Sequence, residues 1–213
     1  MPTDIDTEGV TIYGYNGKFI KVGNGKGIGT FTREILQLEH EQEVSKPTLQ
    51  ISKVQIGGID SISVYRSSNH SIPDTSQTLK ELITVGRPTL ITGDFNICTT
   101  KNPTNGITTT LMKTGFKKIL ERSTHIQGGQ IDHIYWMDNT KTYNLPRVEF
   151  YSPYWTDHDA ILSTITKRYF YPIFNFRFEL ILVIPDTKSK INGIEDEEDK
   201  EEDKDDIKQI EDN

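Results

Sequence analysis

The chain has 213 residues, 34% of them hydrophobic and 26% charged, with a formal net charge of −7 and one cysteine. This length suits a single domain with a sizeable core, and one cysteine excludes an intrachain disulfide and argues against a disulfide-stapled secreted scaffold. The charge is uneven, because residues 195–213 hold 12 acidic residues and 3 lysines, which leaves the rest of the chain near +2.

The first third of the chain predicts two β-hairpins. Strand-like residues 10–13 and 28–31 flank an Asn-Gly dipeptide at 24–25, which favours a tight hairpin turn. The glycine-rich stretch around this turn lacks both the Gly-Lys-Ser/Thr ending and the following helix of a nucleotide-binding loop. Residues 49–56 and 59–66 form the second predicted pair, and alternation of polar and apolar residues over 50–56 places one face of the first strand in the core and the other in water.

Helices and strands alternate in the middle of the chain. Asp74 and Ser76 can cap a helix whose apolar residues recur at helical spacing and which Gly86 can end. A β-rich run then carries Asp94 out at its end, and a second predicted helix stops before Gly115. This alternation predicts an α/β fold of mixed sheets with helices outside. The predicted segments are a helix at 105–113 and strands at 89–92, 116–120, 131–136, 147–151 and 160–166.

The chain divides into three parts. Residues 1–168 carry the predicted elements and form one domain, whereas 169–187 are an apolar extension that could add a strand. Pro172 and several polar residues interrupt this extension, which is too short to span a bilayer. Residues 188–213 form an acidic tail that we expect to be disordered. No signal peptide is recognisable, so we expect an intracellular protein of the nucleus or cytoplasm that does not bind membranes.

Three short polar strings stand where predicted strands meet loops. They are Gly93-Asp94-Phe95-Asn96, Ile131-Asp132-His133-Ile134 and Thr156-Asp157-His158-Asp159. Carboxylate and amide oxygens are ligands that Mg²⁺ accepts in proteins, and carboxylates and imidazoles perform proton transfer. Such side chains at the ends of core strands indicate a metal-assisted phosphodiesterase site.

In this order, the three strings resemble the motifs of the endonuclease/exonuclease/phosphatase superfamily, which has the DNase I-like fold. The resemblance spans about residues 10–166, and the string around Asp132 looks most like retrotransposon-type and abasic-site endonucleases. It implies a four-layer α/β sandwich of two mixed β-sheets flanked by helices. Two family motifs that precede the first hairpin, one with an Asn and one with a metal-binding Glu, are not recognisable. We therefore expect an N-terminally truncated domain that lacks its first strands, with Glu8 as the nearest acidic candidate.

The resemblance assigns a catalytic role to five residues, which are Asp94, Asn96, Asp132, His158 and Tyr65. Asp94 would activate the attacking water, and Asn96 would hold that water or a phosphate oxygen. His158 would contact the scissile phosphate, and Asp132 would orient this histidine and raise its pKa. Burial behind Phe95 and near other acids would raise the pKa of Asp94 toward the value that suits a base.

The resemblance also implies metal and substrate contacts. Asp157 and Asp94 would bind Mg²⁺, for which Mn²⁺ is a possible substitute. Tyr65 lies in a string similar to the Tyr-containing string of the family and would contact the phosphate through its hydroxyl, and Asn69 of the same string would contact substrate. Trp155 can stack on a base or sugar, although packing at the rim of the core is an equal alternative.

Four other reactive side chains are predicted to be structural. His133 should point away from Asp132, because adjacent strand residues alternate between faces. His70 and His125 are expected to be solvated loop residues, and Cys98 a small buried thiol.

These features predict metal-dependent phosphodiester hydrolysis on nucleic acid, with DNA favoured over RNA as the partner and with activity that the missing N-terminal metal-binding motif could impair. Two alternatives stay open. A phosphatase acting on a phosphoinositide-type substrate could use the same fold, because a fold does not fix the substrate. A remnant that binds nucleic acid without cleaving it could retain the same residues.

Overall fold

The computed structural model describes residues 12–22, 26–36, 38–152, 156–168 and 177–182. Within them the chain forms a six-stranded sheet, a three-stranded sheet, a two-stranded hairpin and two helices. In chain order the elements are β1 (Tyr15–Val22), β2 (Lys26–Arg33), β3 (Leu38–Lys46), β4 (Leu49–Ile56), β5 (Ile59–Arg66), α1 (Ile72–Leu82), β6 (Thr89–Asp94), α2 (Gly106–Lys113), β7 (Lys117–Lys118), β8 (Asp132–Met137), β9 (Arg147–Tyr151), β10 (Ala160–Thr166) and β11 (Arg177–Leu182).

The central sheet has the strand order β3-β4-β5-β6-β8-β7. Its β5–β6 pair is parallel and its other pairs are antiparallel, so this sheet is mixed, as predicted. The second sheet, β11-β10-β9, is antiparallel rather than mixed. β1 and β2 form an antiparallel hairpin in which β2 includes the predicted strand 28–31, and the turn between them lies outside the described residues.

Both helices pack on one face of the central sheet. Leu79 of α1 and Leu111 of α2 are fully buried in a core that includes Ile62 of β5. The opposite face contributes Leu90 of β6 to a second core, which it shares with Ile161 of β10. Successive strand residues point to opposite faces, so the same strands supply both cores. β4 is buried along almost its whole length, so the prediction that one of its faces lies in water is wrong. The α/β class is confirmed, and the described residues form three layers, without the second helical layer of the four-layer prediction.

Two strands near the start of the described chain differ from the prediction. Residues 12–14 precede the first strand and β1 begins at Tyr15, so the strand predicted at 10–13 is wrong over its described residues. The sequence pattern does not predict β3, because most of its side chains are polar and exposed. Antiparallel pairing along β4 holds this strand in the sheet.

Other differences concern element ends. Ser71, rather than Asp74, caps α1: its side chain accepts the Asp74 N–H, and Pro73 fits the first turn. β7 has two residues, fewer than predicted. The extension 169–187 contributes β11, whereas the tail 188–213 lies outside the described residues. In the described part of the chain, no helix has the length and apolarity needed to cross a bilayer.

Gly93 of β6 lies directly beside Val64 of β5. Its φ is +148°, and a Cβ added there would lie 1.9 Å from the carbonyl oxygen of Val64. Neither backbone can yield without separating the parallel pair, so we expect Gly93→Ala to lower the free energy of unfolding by more than about 3 kcal/mol in urea denaturation. Gly86 is the matched control, because its φ is +79° and no atom lies within 4 Å of an added Cβ. Gly86→Ala should cost only about 1 kcal/mol, and equal losses would contradict the steric explanation.

Candidate active site

Strand register places three polar residues in a row across one end of the central sheet. Tyr65 of β5 pairs with Asp94 of β6, and Asp94 pairs with Asp132 of β8. Residues two or four positions away on the same strands, such as Leu90 and Ile134, belong to the core shared with the second sheet. Alternation therefore directs all three side chains toward the second sheet and away from the helices.

Asp94 is nearly buried, with 5% of its surface exposed. One carboxylate oxygen accepts the backbone N–H of Asn96 at 2.8 Å, and the other accepts the Asn96 side-chain amide at 2.9 Å. Burial raises the pKa of Asp94 to about 7 and the charge of Asp132 adds to this, although the Asn96 hydrogen bonds and His158 act against it. The predicted rise, with burial and a nearby acid as its causes, is confirmed. Only the predicted contribution of Phe95 is wrong, because Phe95 lies on the helix-facing side, in the other core.

Asn96 and Arg66 fix the loop that follows β6. Asn96 has a φ of +49°, a conformation that asparagine tolerates better than most residues. Its amide also donates to the Arg66 carbonyl at 2.8 Å. The buried Arg66 guanidinium donates to the Phe95 carbonyl at 3.0 Å. This loop is thus held rigidly, which fixes both oxygens of Asp94 in place.

The predicted contact between Asp132 and His158 is present. His158 Nδ1 lies 2.9 Å from Asp132 Oδ2, and Thr124 Oγ1 donates to the same oxygen at 2.5 Å. Burial alone would lower the pKa of His158, but the hydrogen bond to Asp132 and the charges of Asp132, Asp94 and Asp157 outweigh it and raise this pKa. The carboxylate fixes the proton on Nδ1, so Nε2 is the atom left to meet a substrate.

His125 also belongs to this site, so its predicted role as a solvated loop residue is wrong. Its Nε2 lies 3.1 Å from Asp157 Oδ2, and its ring packs edge-on against His158 with 4.9 Å between ring centroids. Two backbone hydrogen bonds join the loops that carry these residues, from Ile126 N–H to the Asp157 carbonyl and from Asp159 N–H to the Thr124 carbonyl. The sequence carries no local signal for this contact, because two distant loops create it.

The remaining candidate residues are less closely connected to the cluster. Tyr65 is half-buried beside Asp94 in the register. Asn69 is exposed in the turn between β5 and α1. Trp155 and Glu8 lie outside the described residues.

His133 is structural, as predicted. It is fully buried and stacks on Phe95 with 4.7 Å between ring centroids. Its Nε2–H donates to the Ile97 carbonyl at 2.8 Å, and its Nδ1 accepts the Tyr135 hydroxyl at 2.9 Å. Burial lowers the pKa of His133 to about 4, so this ring is neutral near pH 7.

Two other predictions need correction. His70 is not solvated, because its ring nitrogens contact Thr48 Oγ1 at 2.6 Å and Asp74 Oδ2 at 2.8 Å. Cys98 is half-buried rather than buried, and a hydrogen bond with Thr100 lowers its pKa to about 7.

The donor set fits a hard cation at Asp157. Asp157 Oδ1 is a buried carboxylate oxygen without a hydrogen-bond partner among the described residues, and Asp132 Oδ1 is another. Such oxygens are suitable ligands for Mg²⁺, whereas both oxygens of Asp94 already accept hydrogen bonds. Ligand atoms of His125, Asp157 and His158 lie within 4.8 Å of one another. However, His125 Nδ1 accepts the Gln127 N–H, so Nε2 keeps the proton and is poorly suited to bind a metal.

Comparisons with known proteins bear on the fold. No protein-family model and no curated protein matches the sequence. The structure is similar to the endonuclease domain of TRAS1, a telomere-specific non-LTR retrotransposon, with a TM-score of 0.51 and 13% identity over 70% of this chain and 77% of that chain. Truncated Caenorhabditis elegans TDP2 has a TM-score of 0.47 and 15% identity over 69% of this chain and 73% of that chain. With the mixed sheet described above, the TRAS1 likeness shows that this chain has the DNase I-like fold of that endonuclease domain.

Proposed function

We propose that this protein is a nuclease that hydrolyses phosphodiester bonds of DNA with Mg²⁺, or Mn²⁺ in its place. The observation that carries the proposal is the buried cluster of Asp94, Asp132 and His158 at one end of the central sheet. Burial of two carboxylates and an imidazole costs stability, and ionisable groups that are buried in spite of this cost are typical of functional sites. The fold shared with an endonuclease domain agrees with this assignment.

Asp94 is the general base of the proposed reaction. Its pKa of about 7 is close to the pH at which the enzyme would work, which is the best compromise between being ionised and binding a proton strongly. The two hydrogen bonds from Asn96 hold the carboxylate in one orientation. Asp94 would take the proton of the water that attacks phosphorus, and Asn96 would help to hold that water.

His158 stabilises the negative charge of the phosphoryl oxygens. Its raised pKa favours the imidazolium form, whose Nε2–H can donate to a phosphoryl oxygen. Asp132 fixes the tautomer of His158 through Nδ1, and its negative charge stabilises the imidazolium. Tyr65 and Asn69 would add contacts to the phosphate and its neighbours, and Trp155 would stack on a base or sugar.

Asp157 would hold the Mg²⁺ ion, whereas Asp94, the second predicted ligand, already accepts hydrogen bonds at both oxygens. The buried Oδ1 of Asp157 is available to the ion, because it has no hydrogen-bond partner among the described residues. When bound, the ion supplies Lewis-acid neutralisation of the phosphate and a template for its orientation.

Plasmid cleavage tests the proposal. We expect supercoiled plasmid to be converted to nicked circles with Mg²⁺ or Mn²⁺, and the reaction to stop in EDTA, because the proposed reaction depends on the positive charge of the ion. Gel electrophoresis measures the product. Parallel assays should detect no phosphate released from a phosphoinositide. Nicking that persists in EDTA contradicts the mechanism. Release of phosphate without nicking supports a phosphatase, and the absence of both activities supports a non-catalytic remnant.

A further inference from the structure

His125 touches two members of the proposed site at once. Its side chain is 15% exposed, lies 3.1 Å from Asp157 Oδ2, and meets the His158 ring at right angles. Backbone bridging between His125 and His158 keeps the two loops in register. The position of this ring is therefore fixed from the main chain as well as through its contacts.

The hydrogen bonds of His125 determine its tautomer. The backbone N–H of Gln127 donates to Nδ1 at 3.1 Å, so Nδ1 must offer a lone pair. The neutral ring then carries its proton on Nε2, which faces Asp157. His158 has the opposite arrangement, because its Nδ1 faces Asp132. Two adjacent histidines thus have different tautomers and cannot serve the same purpose.

With His125 in this tautomer, the two oxygens of the Asp157 carboxylate have different surroundings. Oδ2 accepts the His125 Nε2–H, whereas Oδ1 is buried and lacks a hydrogen-bond partner among the described residues. His158 Nε2 lies 3.9 Å from Oδ1, too far for a hydrogen bond. The oxygen that remains available is the one that suits a cation.

We propose that His125 is a positioning residue that holds Asp157 by an Nε2–H hydrogen bond and so presents Oδ1 to a divalent cation. Carboxylate ligands of metals are commonly oriented by such hydrogen bonds, and loss of the orienting group weakens metal binding by about 10- to 100-fold. The link with catalysis rests on the proposed function, but metal binding and the tautomer do not.

Direct Mn²⁺ binding, measured from the electron paramagnetic resonance signal of the free ion, tests the proposal without an activity assay. His125→Ala should raise the dissociation constant about tenfold or more. His125→Gln should stay within about threefold of the wild type, because its amide N–H can donate at a similar reach. His70→Ala is the matched control, since His70 forms a His–Asp contact away from this cluster, and it should not change Mn²⁺ affinity.

Long-range ¹H–¹⁵N spectra of the metal-free protein test the tautomer itself. The proposal requires the Nε2–H form for His125 and the Nδ1–H form for His158, with resonances assigned by loss of the signal in His125→Gln and His158→Gln. An Nδ1–H form of His125, or equal loss of Mn²⁺ affinity in the Ala and Gln variants, would make His125 a metal ligand and overturn the proposal. Wild-type affinity in both variants would also overturn it. If no variant, including the wild type, cleaves plasmid but Mn²⁺ affinity changes as expected, only the proposed function fails.

Discussion

Asp94→Asn is expected to lower the rate of plasmid cleavage about 10³-fold and to make the metal-free protein more stable at pH 8. The loss of rate follows because asparagine cannot take the proton of the attacking water, and removal of a general base costs about 10²- to 10⁴-fold. The gain in stability follows because asparagine has no charge to bury. One substitution should thus separate what the residue does for catalysis from what it costs the fold.

The pH dependence fixes the sign of the stability change. The folded protein raises the pKa of Asp94 from 3.8 to about 7, so the contribution of its proton to stability is fully present below about pH 4 and is lost as the pH rises through 7. Each pKa unit corresponds to about 1.4 kcal/mol. Because Asn96 must rearrange its hydrogen bonds to the new amide at either pH, we expect a net gain of only about 2 kcal/mol at pH 8 and a net loss of about 1 kcal/mol at pH 4.5.

Urea denaturation in EDTA at both pH values measures this difference, and plasmid nicking with Mg²⁺ measures the rate. Asp138→Asn is the matched control: the Asp138 carboxylate accepts the backbone N–H groups of Thr140 and Tyr143. That variant should keep its activity and lose stability at both pH values. An Asp94→Asn protein that is less stable than the wild type at pH 8, or that cleaves within tenfold of its rate, would contradict the assignment of a buried base.

Local sequence patterns predict the core strands because buried positions are mostly filled by apolar residues. The bounds of β4, β5, β9 and β10 agree with their predicted segments. Alternation of apolar and polar residues is visible in β4 and β9, and β10 begins with an apolar run. β3 has no such apolar pattern, because seven of its nine residues are polar or charged. Its position in the sheet depends instead on pairing with β4. Pairing between strands is a property of two segments, and neither segment shows it alone.

The same distinction applies to the candidate site, where single motifs are visible in the sequence but the contacts between them are not. The strings that contain Asp94, Asp132 and His158 are recognisable because polar residues interrupt apolar runs. That Asp94 and Asp132 are direct neighbours depends on the register between β6 and β8. The contact of His125 with Asp157 depends on two loops that are 32 positions apart in sequence. No spacing rule predicts such a contact, which explains why His125 was misassigned.

Asp132→Asn is expected to lower the cleavage rate about 10²- to 10⁴-fold, although Asp132 never touches the substrate. An amide in its place can present N–H to His158 Nδ1 and favour the wrong tautomer, as occurs when the orienting aspartate of a serine protease is replaced. The pKa of His158 should also fall, because its hydrogen bond to Asp132 and the charge of Asp132 are what overcome the effect of burial. A ¹H–¹⁵N titration of His158 would show both changes.

The stability of this variant should change most in acid. Because the folded wild type raises the pKa of His158, protonation of this ring contributes stability at low pH that is lost as the pH rises through the folded-state value. In Asp132→Asn the folded-state pKa lies lower, so protonation at pH 5 should destabilise the fold relative to the wild type. Urea denaturation at pH 5 and pH 8 should show the larger deficit at pH 5.

A double variant determines whether the two residues act as one unit. If Asp132 acts only through His158, then Asp132→Asn combined with His158→Ala should cleave no more slowly than His158→Ala alone. Multiplied losses of rate would mean that Asp132 acts on the substrate or the metal by another route. Its second oxygen, buried without a hydrogen-bond partner among the described residues, is the atom through which that route would run.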